Sequence, residues 1–345
     1  MVGPAEIARR GRGLVTHELS SLPILALSVH SACNCRCVMC DIWKANADRR
    51  EISADELAAH VAEIERLHVQ RVMLTGGEPL LHRNLWSLCD RLGRLNIQIT
   101  LVTTGLLTEP YAADIARSVD TVVISLDGPP LVHDAIRRVT GGFEKIARGV
   151  IALRAQSTPP RLIARSVVQR DNYEYLQQTI ESARQAGFDE ISFLAADLSS
   201  SAFNRSEPWT PDRRAEVAVA AADLGLLQRA IERAKLAEPE ALSSGFVVGG
   251  SKSLDRILRY YRAVAGLGPF PEVRCNAPWV SAVLEPGGAL RPCFFHEPYA
   301  RTSGSLGETL NSAAAIAFRR GLDVETNTTC RQCVCSLNLP LTQAV

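Results

Sequence analysis

At 345 residues and 46% hydrophobic composition, the chain has material for one large core plus a smaller appendage. Lys+Arg number 38 against Asp+Glu 37, and no long basic stripe carries interleaved aromatics, so nothing points to nucleic acid. The longest early apolar run, Leu22 to Val29, contains Pro23 and falls far short of the roughly 18 to 20 residues that span a bilayer. With no secretory signal pattern either, a cytoplasmic protein without membrane contact is expected.

Residues 1–23 read as an N-terminal extension, and a β-rich run at 24–30 follows. Directly after it stand Cys33, Cys35, Cys37 and Cys40, which contain the spacing C-x3-C-x2-C. In a reducing compartment, cysteines clustered this way serve metal or redox chemistry rather than disulfides. Three thiolates in one loop can hold three irons of a [4Fe–4S] cubane and leave the fourth iron open to a small molecule. A zinc loop with Cys35 as fourth ligand is the alternative, although the paired C-x2-C units of common zinc folds are missing.

Ser53 and Glu56 then form a capping box for a helix whose Leu57, Val61, Ile64 and Leu67 recur at three- and four-residue spacing. The next strand, 70–75, runs into Thr75-Gly76-Gly77-Glu78-Pro79. The two glycines allow close backbone approach, and Glu78 offers an acceptor for an ammonium group; a plain strand-ending turn is the other reading. Helices at 84–95, 110–117, 142–155 and 173–186, the last capped by Gly187, alternate with strands at 97–103, 121–126, 162–168 and 190–194. Thr103 and Thr104 end the third strand, Ser125 and Asp127 the fourth, and Arg165 lies on the fifth. His133, Asp134 and Arg137 follow the Asp127-Gly128-Pro129 turn. Six β/α units across 24–198 predict an incomplete version of the eight-stranded parallel barrel, with its active site in the loops after the strands' C-terminal ends.

Beyond Leu194 the pattern changes, and 199–270 reads as a helical insertion or linker. Within it, Thr210 and Pro211 cap a long Ala-rich helix running to about Ala237, and a Gly/Ser stretch (243–253) leads to a helix at 254–265. The last segment, 271–345, reads Cys275-x12-Gly288-x4-Cys293, with Pro286-Gly287-Gly288 as the turn of a hairpin between 280–285 and 289–293. A helix at about 311–320 precedes Cys330-Arg-Gln-Cys333-Val-Cys335. Cys275, Cys293, Cys330 and Cys333 form a four-thiolate set able to saturate a second [4Fe–4S] cluster, and a zinc ribbon uses similar chemistry.

C-x3-C-x2-C after the first strand, followed by the Gly-Gly-Glu motif, resembles the signature of the radical S-adenosylmethionine (SAM) superfamily. The resemblance covers about 24–194 and 275–333, and the C-terminal cysteines resemble the auxiliary-cluster domains called SPASM and its shorter form, Twitch. It implies that Cys33, Cys37 and Cys40 hold a cluster whose open iron chelates SAM. Cleavage of SAM to a 5′-deoxyadenosyl radical, which removes a hydrogen atom from the substrate, is implied with it. Met39, Gly76, Gly77, Glu78, Thr104, Ser125 and Arg165 become candidate SAM contacts, with Met39 standing where relatives often carry an aromatic. Asp127, Cys335 and His296 are candidate catalytic groups, and Cys335 alternatively replaces Cys333 as ligand. His296, Glu297, Tyr299 and Arg301 are candidate substrate contacts.

Peptide-modifying relatives often carry an extra N-terminal domain, whereas here the first strand begins near Ile24. That shifts the expectation toward a small molecule such as a sugar, aminoglycoside or amino-acid-derived metabolite, undergoing dehydrogenation, epimerisation or carbon–carbon bond formation. A reducing partner such as flavodoxin or ferredoxin is implied. A peptide maturase and a zinc-stabilised binding module without SAM chemistry stand as the alternatives.

Overall fold

Apolar alternation sets the central sheet of the computed structural model, which describes residues 2–302 and 305–345. Helix α1 (Pro4–Thr16) precedes β1 (Ile24–His30), and α2 (Ala54–Arg66) leads to β2 (Arg71–Gly76). Next come α3 (Leu85–Gly93), β3 (Gln98–Thr103), α4 (Ala112–Ser118), β4 (Thr121–Ser125), α5 (Pro130–Arg137), α6 (Gly142–Arg154), β5 (Arg161–Val168), α7 (Leu176–Ala186) and β6 (Glu190–Ala195). In β1, Leu25, Leu27 and Val29 are fully buried while Ile24 and Ser28 are only half-buried, and β2 repeats this with Val72 and Leu74 against Met73 and Thr75. Successive side chains of a strand point to opposite faces, so one face packs against the helices and the other lines a partly open lumen.

Strands β1 to β6 are parallel sequential neighbours, as the β/α alternation predicts, and make a partial parallel barrel. The capping box of α2 is present, with the Glu56 amide donating to Ser53 Oγ at 3.0 Å and the Ser53 amide to Glu56 Oε2 at 2.7 Å. Gly187 ends α7 in the left-handed region, at φ 92°.

The remaining elements are α8 (Pro211–Val217), α9 (Leu224–Ala237), α10 (Pro239–Ser243), α11 (Gly250–Val264) and α12 (Ala277–Val280). They are followed by β7 (Ser281–Leu284), β8 (Ala289–Arg291), β9 (Ala300–Arg301), α13 (Leu306–Leu310), α14 (Ala313–Gly321) and α15 (Thr328–Arg331). The expected hairpin is β7–β8, with Gly287 and Gly288 at φ 77° and 80°. It does not stand apart from the barrel, because β7 pairs parallel with β1 and extends one sheet in the order β6-β5-β4-β3-β2-β1-β7-β8-β9. Both cysteine segments are thereby attached to neighbouring strands.

One helix expectation is corrected. The single Ala-rich helix to Ala237 is two helices, because Val217, Ala218 and Val219 are all buried and one helical face cannot bury three consecutive residues. Ala218 is extended, at φ −67° and ψ 148°, so packing overrides alanine's propensity. The helix expected near 311–320 is α14, with the short α13 before it, and α5 follows the Asp127 to Pro129 turn where the sequence reading drew no helix. The N-terminal extension contains α1, whose Arg10 donates to the Gln343 carbonyl at 2.8 Å, while Arg319 donates to the His17 carbonyl at 2.8 Å, tying both chain ends together. Among the described residues no helix is long and apolar enough to cross a membrane.

Candidate active site

The cysteine loop leaves the C-terminal end of β1 and is fixed from several sides. Asn46 pinches Cys33, accepting from its amide and donating to its carbonyl, both at 2.9 Å. The Val38 amide donates to the Ile136 carbonyl at 3.0 Å and the Arg36 amide to the Arg137 carbonyl at 3.4 Å, so the end of α5 braces the loop. Trp43 Nε1 donates to the Cys40 carbonyl at 2.9 Å.

The thiols lie close enough to perturb one another. Cys35, 2% exposed, shares hydrogen bonds with Cys33 and Cys37, which push its own thiol up and pull both neighbours down. Cys37 reaches about 6, with Arg137 assisting Cys35 against burial, whereas burial pushes Cys40 up to about 12. Cys33 and Cys37 are therefore the thiols most ready to ionise and bind metal. No group of three or more His, Cys, Asp or Glu side chains among the described residues is poised to enclose a single metal ion.

Gly76 and Gly77 support this loop from below. The Gly77 amide donates to the His30 carbonyl at 2.6 Å and the Glu78 amide to the Ala32 carbonyl at 2.8 Å. A Cβ on Gly77 would sit 2.0 Å from the Ala32 carbonyl oxygen, so only glycine lets β2 end against the start of the cysteine loop. Glu78 is fully buried and accepts from Thr103 Oγ1, the Thr104 amide, Thr104 Oγ1 and the Leu80 amide at 2.7–3.0 Å. Its oxygens clamp β2 to β3, and Thr104 Oγ1 also lies 3.0 Å from Asn34 Oδ1 in the cysteine loop. Burial raises the Glu78 carboxyl above its usual range, against these bonds.

Asp127 is equally committed. It is fully buried, pairs with Arg137 Nε at 2.6 Å and accepts from the Val167 amide at 2.8 Å. Arg137 in turn places Nη1 3.5 Å from Cys37 Sγ. The run after β4 thus serves the cysteine loop.

A cavity of about 510 Å³ opens beside the loop. Its walls are Ser28, Ser31 and Ile42 around the cysteines, Thr75 to Gly77 from β2, Ser201 to Ser206, and Glu285, Arg291, Phe294 and Arg301 from the C-terminal segment. Part of the stretch read as a helical insertion or linker is therefore a wall of the cavity. It is anchored by a buried Arg205–Asp197 pair at 2.7 Å and by Trp209, whose Nε1 donates to Asp41 Oδ2 at 2.6 Å. Phe203 and Asn204 at the rim are both in the left-handed region, at φ 61° and 65°, a conformation that non-glycine residues adopt mainly where surrounding contacts impose it.

Cys275, Cys293, Cys330, Cys333 and Cys335 all line a second cavity, of about 200 Å³, together with Met73, Arg165 and His296. His296 Nε2 lies 3.4 Å from Cys330 Sγ. Burial pushes Cys293 up to about 11 and Cys330 to about 12.

The candidates divide accordingly. Gly76, Gly77 and Arg301 reach the large cavity, and Arg165, His296 and Cys335 the cysteine-lined one. Met39 is packed in the core, Ser125 is half-buried at the end of β4, Glu297 accepts from Ser201 Oγ at 2.6 Å, and Tyr299 packs 5.5 Å from Phe318. The roles of Asn46, Arg137, Arg205 and Trp209 escaped sequence reading. Only the tryptophan, a large aromatic in a polar stretch, carried a local signal.

The sequence profile of the radical SAM superfamily matches residues 27–183, which contain the whole cysteine loop and the β2 to β5 strand ends. Residues 27–183 are thus similar to the radical SAM superfamily domain. The chain is 26% identical over 168 residues to the AdoMet-dependent heme synthase of Methanosarcina barkeri, covering 48% of each protein. It is 34% identical over 161 residues to the mycofactocin maturase MftC of Mycolicibacterium smegmatis, covering 45% of this chain and 40% of the relative. The chain thus spans less than half the length of either relative. In fold, Streptococcus suis SuiB bound to S-adenosylmethionine is similar at TM-score 0.63 and 13% identity, over 96% of this chain and 76% of SuiB. A radical SAM domain implies a [4Fe–4S] cluster and SAM, and the donor set fits: Cys33 and Cys37 have lowered pKa values, and a buried cation, Arg137, faces Cys37.

Proposed function

We propose that this chain is a radical SAM enzyme that cleaves SAM reductively and removes a hydrogen atom from a small-molecule substrate held in the cavity of about 510 Å³. The observation that carries the reading is the position of the cysteine loop, at the open end of the parallel sheet and flanked on both sides by residues of that cavity. Cys33, Cys37 and Cys40 hold the cluster, and Cys35 is a spare thiol between them. When bound, a [4Fe–4S] cluster with one open iron supplies a docking position for SAM's amino and carboxylate groups and the electron that breaks its C5′–S bond. Asn46, the end of α5 and Gly77 hold the loop rigid, while Ser201 to Ser206 and the β7–β8 hairpin close the cavity against water. A cavity of this size suits a small ligand or one residue of a larger one. Its charged walls, Asp48 with Arg50 and Glu285 with Arg291, suit a polar substrate.

Cys275, Cys293, Cys330 and Cys333 hold a second [4Fe–4S] cluster in this reading, supported by their convergence on one cavity. A SPASM/Twitch-type role for 271–345 and electron supply by a flavodoxin or ferredoxin belong to the same proposal. The similarity to a mycofactocin maturase favours one second reading, modification of a peptide residue in the same cavity.

Anaerobic reconstitution with SAM and dithionite tests the proposal. The wild type is expected to bind about eight irons and release 5′-deoxyadenosine. Cys33→Ala, Cys37→Ala and Cys40→Ala combined should abolish that release and retain about four irons, whereas Cys35→Ala should keep both. Colourless protein containing only zinc would leave a binding module instead, and a stable complex with a precursor peptide would select the maturase reading.

A further inference from the structure

The buried Arg137 side chain does more than the loop's architecture requires. The carbonyls of Ile136 and Arg137 already hold the Val38 and Arg36 amides, so backbone contacts alone brace the cysteine loop. The guanidinium, on a residue only 8% exposed, is nevertheless aimed at a sulfur: Nη1 lies 3.5 Å from Cys37 Sγ while Nε is bound to Asp127 at 2.6 Å. Among the described residues, no side-chain cation donates to the sulfur of Cys33 or Cys40. Asp127 stands behind Arg137 and is fixed in turn by the Val167 amide at 2.8 Å, and Arg138, left-handed at φ 56°, ends the helix.

We propose that Arg137 is a positioning residue whose charge-assisted hydrogen bond to Cys37 raises the reduction potential of the cluster held by Cys33, Cys37 and Cys40, with Asp127 partly offsetting that effect. The inference rests on the cluster reading above. Reduction adds one negative charge to the cluster, and a cation held against a ligand sulfur in a buried site stabilises the reduced state more than the oxidised one. Hydrogen bonds to cluster sulfurs act in the same direction. The nearer cation outweighs the more distant carboxylate, so the two residues act with opposite signs.

The test is stepwise reduction of the reconstituted holoprotein, followed by electron paramagnetic resonance, with the C-terminal cluster of the same chain as internal reference. The SAM-responsive signal identifies the first cluster. Arg137→Gln should shift its midpoint to more negative values, Asp127→Asn to less negative values, and Arg137→Lys should fall between wild type and Arg137→Gln. A merely structural role would move both positions the same way or move only iron content. Equal-sign shifts, or none, in protein with full iron content overturn the inference. If Arg137→Gln fails to load the first site, Asp127→Asn and Arg137→Lys decide on the same criteria. A wild type without a SAM-responsive signal would overturn the cluster reading itself, a result distinct from unshifted variants.

Discussion

The indole N–H of Trp209 donates to the Asp41 carboxylate at 2.6 Å, joining residues 168 positions apart and placing a lid on the cysteine loop. Asp41 directly follows Cys40 and is only 4% exposed. Arg205 stacks over the indole at 3.7 Å to its centroid, and Arg213 stacks at 4.6 Å and donates to the Val38 carbonyl. Burial works against the Asp41 charge, but the bonds from Lys44 and Trp209 outweigh it and hold the carboxyl below its usual range.

Trp209→Phe keeps an aromatic face for the two arginines and removes the bond to Asp41. A buried hydrogen bond to a charged group contributes about 1.5–3 kcal/mol. The variant should therefore lose iron from the N-terminal site to a chelator faster than wild type, with release from the C-terminal site unchanged. Equal rates at the first site would show that Trp209 does not restrain the loop.

Gly77 and Gly93 form a contrasting pair. A methyl at Gly77 meets the Ala32 carbonyl at 2.0 Å, whereas at Gly93, the last residue of α3, nothing lies within 4 Å. Gly77→Ala must shift the backbone leading into Cys33, a change expected to cost about 1–3 kcal/mol or more. It should also reduce iron at the first site. Gly93→Ala should be stabilising by about 0.4–1 kcal/mol, through the unfolded chain. Thermal unfolding and iron analysis of the two variants check this; a Gly77→Ala protein that melts and loads like wild type would refute the close-packing account.

The six parallel strands were legible because each carries its alternation locally and is bounded by turn residues, and Gly76-Gly77 announced a close approach. The cysteine loop was legible because its three- and two-residue spacings are local. What escaped was long-range. Nothing near Arg137 says that its side chain meets Cys37, 100 positions away, and nothing in 199–213 says that it folds back over Asp41. The bonds that the Asp127 and Glu78 carboxylates make within the protein were not legible either, since motif position gives a residue's location but not its partners.

Cys333 and Cys335 both line the C-terminal cavity, yet differ in exposure: Cys333 is half-buried and Cys335 exposed. Burial pushes the Cys333 thiol up, the cost of a desolvated sulfur that coordination to iron would relieve. Cys333→Ser should therefore lower iron by about four atoms per chain and Cys335→Ser leave it unchanged. The opposite pattern would make Cys335 the ligand.

Glu63 ties α2 to the C-terminal segment, its Oε2 accepting from Ser305 Oγ at 2.7 Å and the Gly307 amide at 3.0 Å. The Arg66 guanidinium and then Ser305 hold its carboxyl down to about 2. Because the folded value lies below the unfolded one, near 4.3, the stabilisation is complete above that unfolded value and is lost as pH falls toward 2. Glu63→Gln should lower stability at pH 7 by roughly 0.5–1.5 kcal/mol. The gap between variant and wild type should then narrow on acidification, because protonated Glu63 can no longer act as an ionised acceptor for both arginine and amide. Thermal unfolding of the iron-free chain from about pH 7 to about pH 3 measures that gap. If it stayed constant across the range, the charge on Glu63 would contribute nothing to docking and only the shape of the contact would matter.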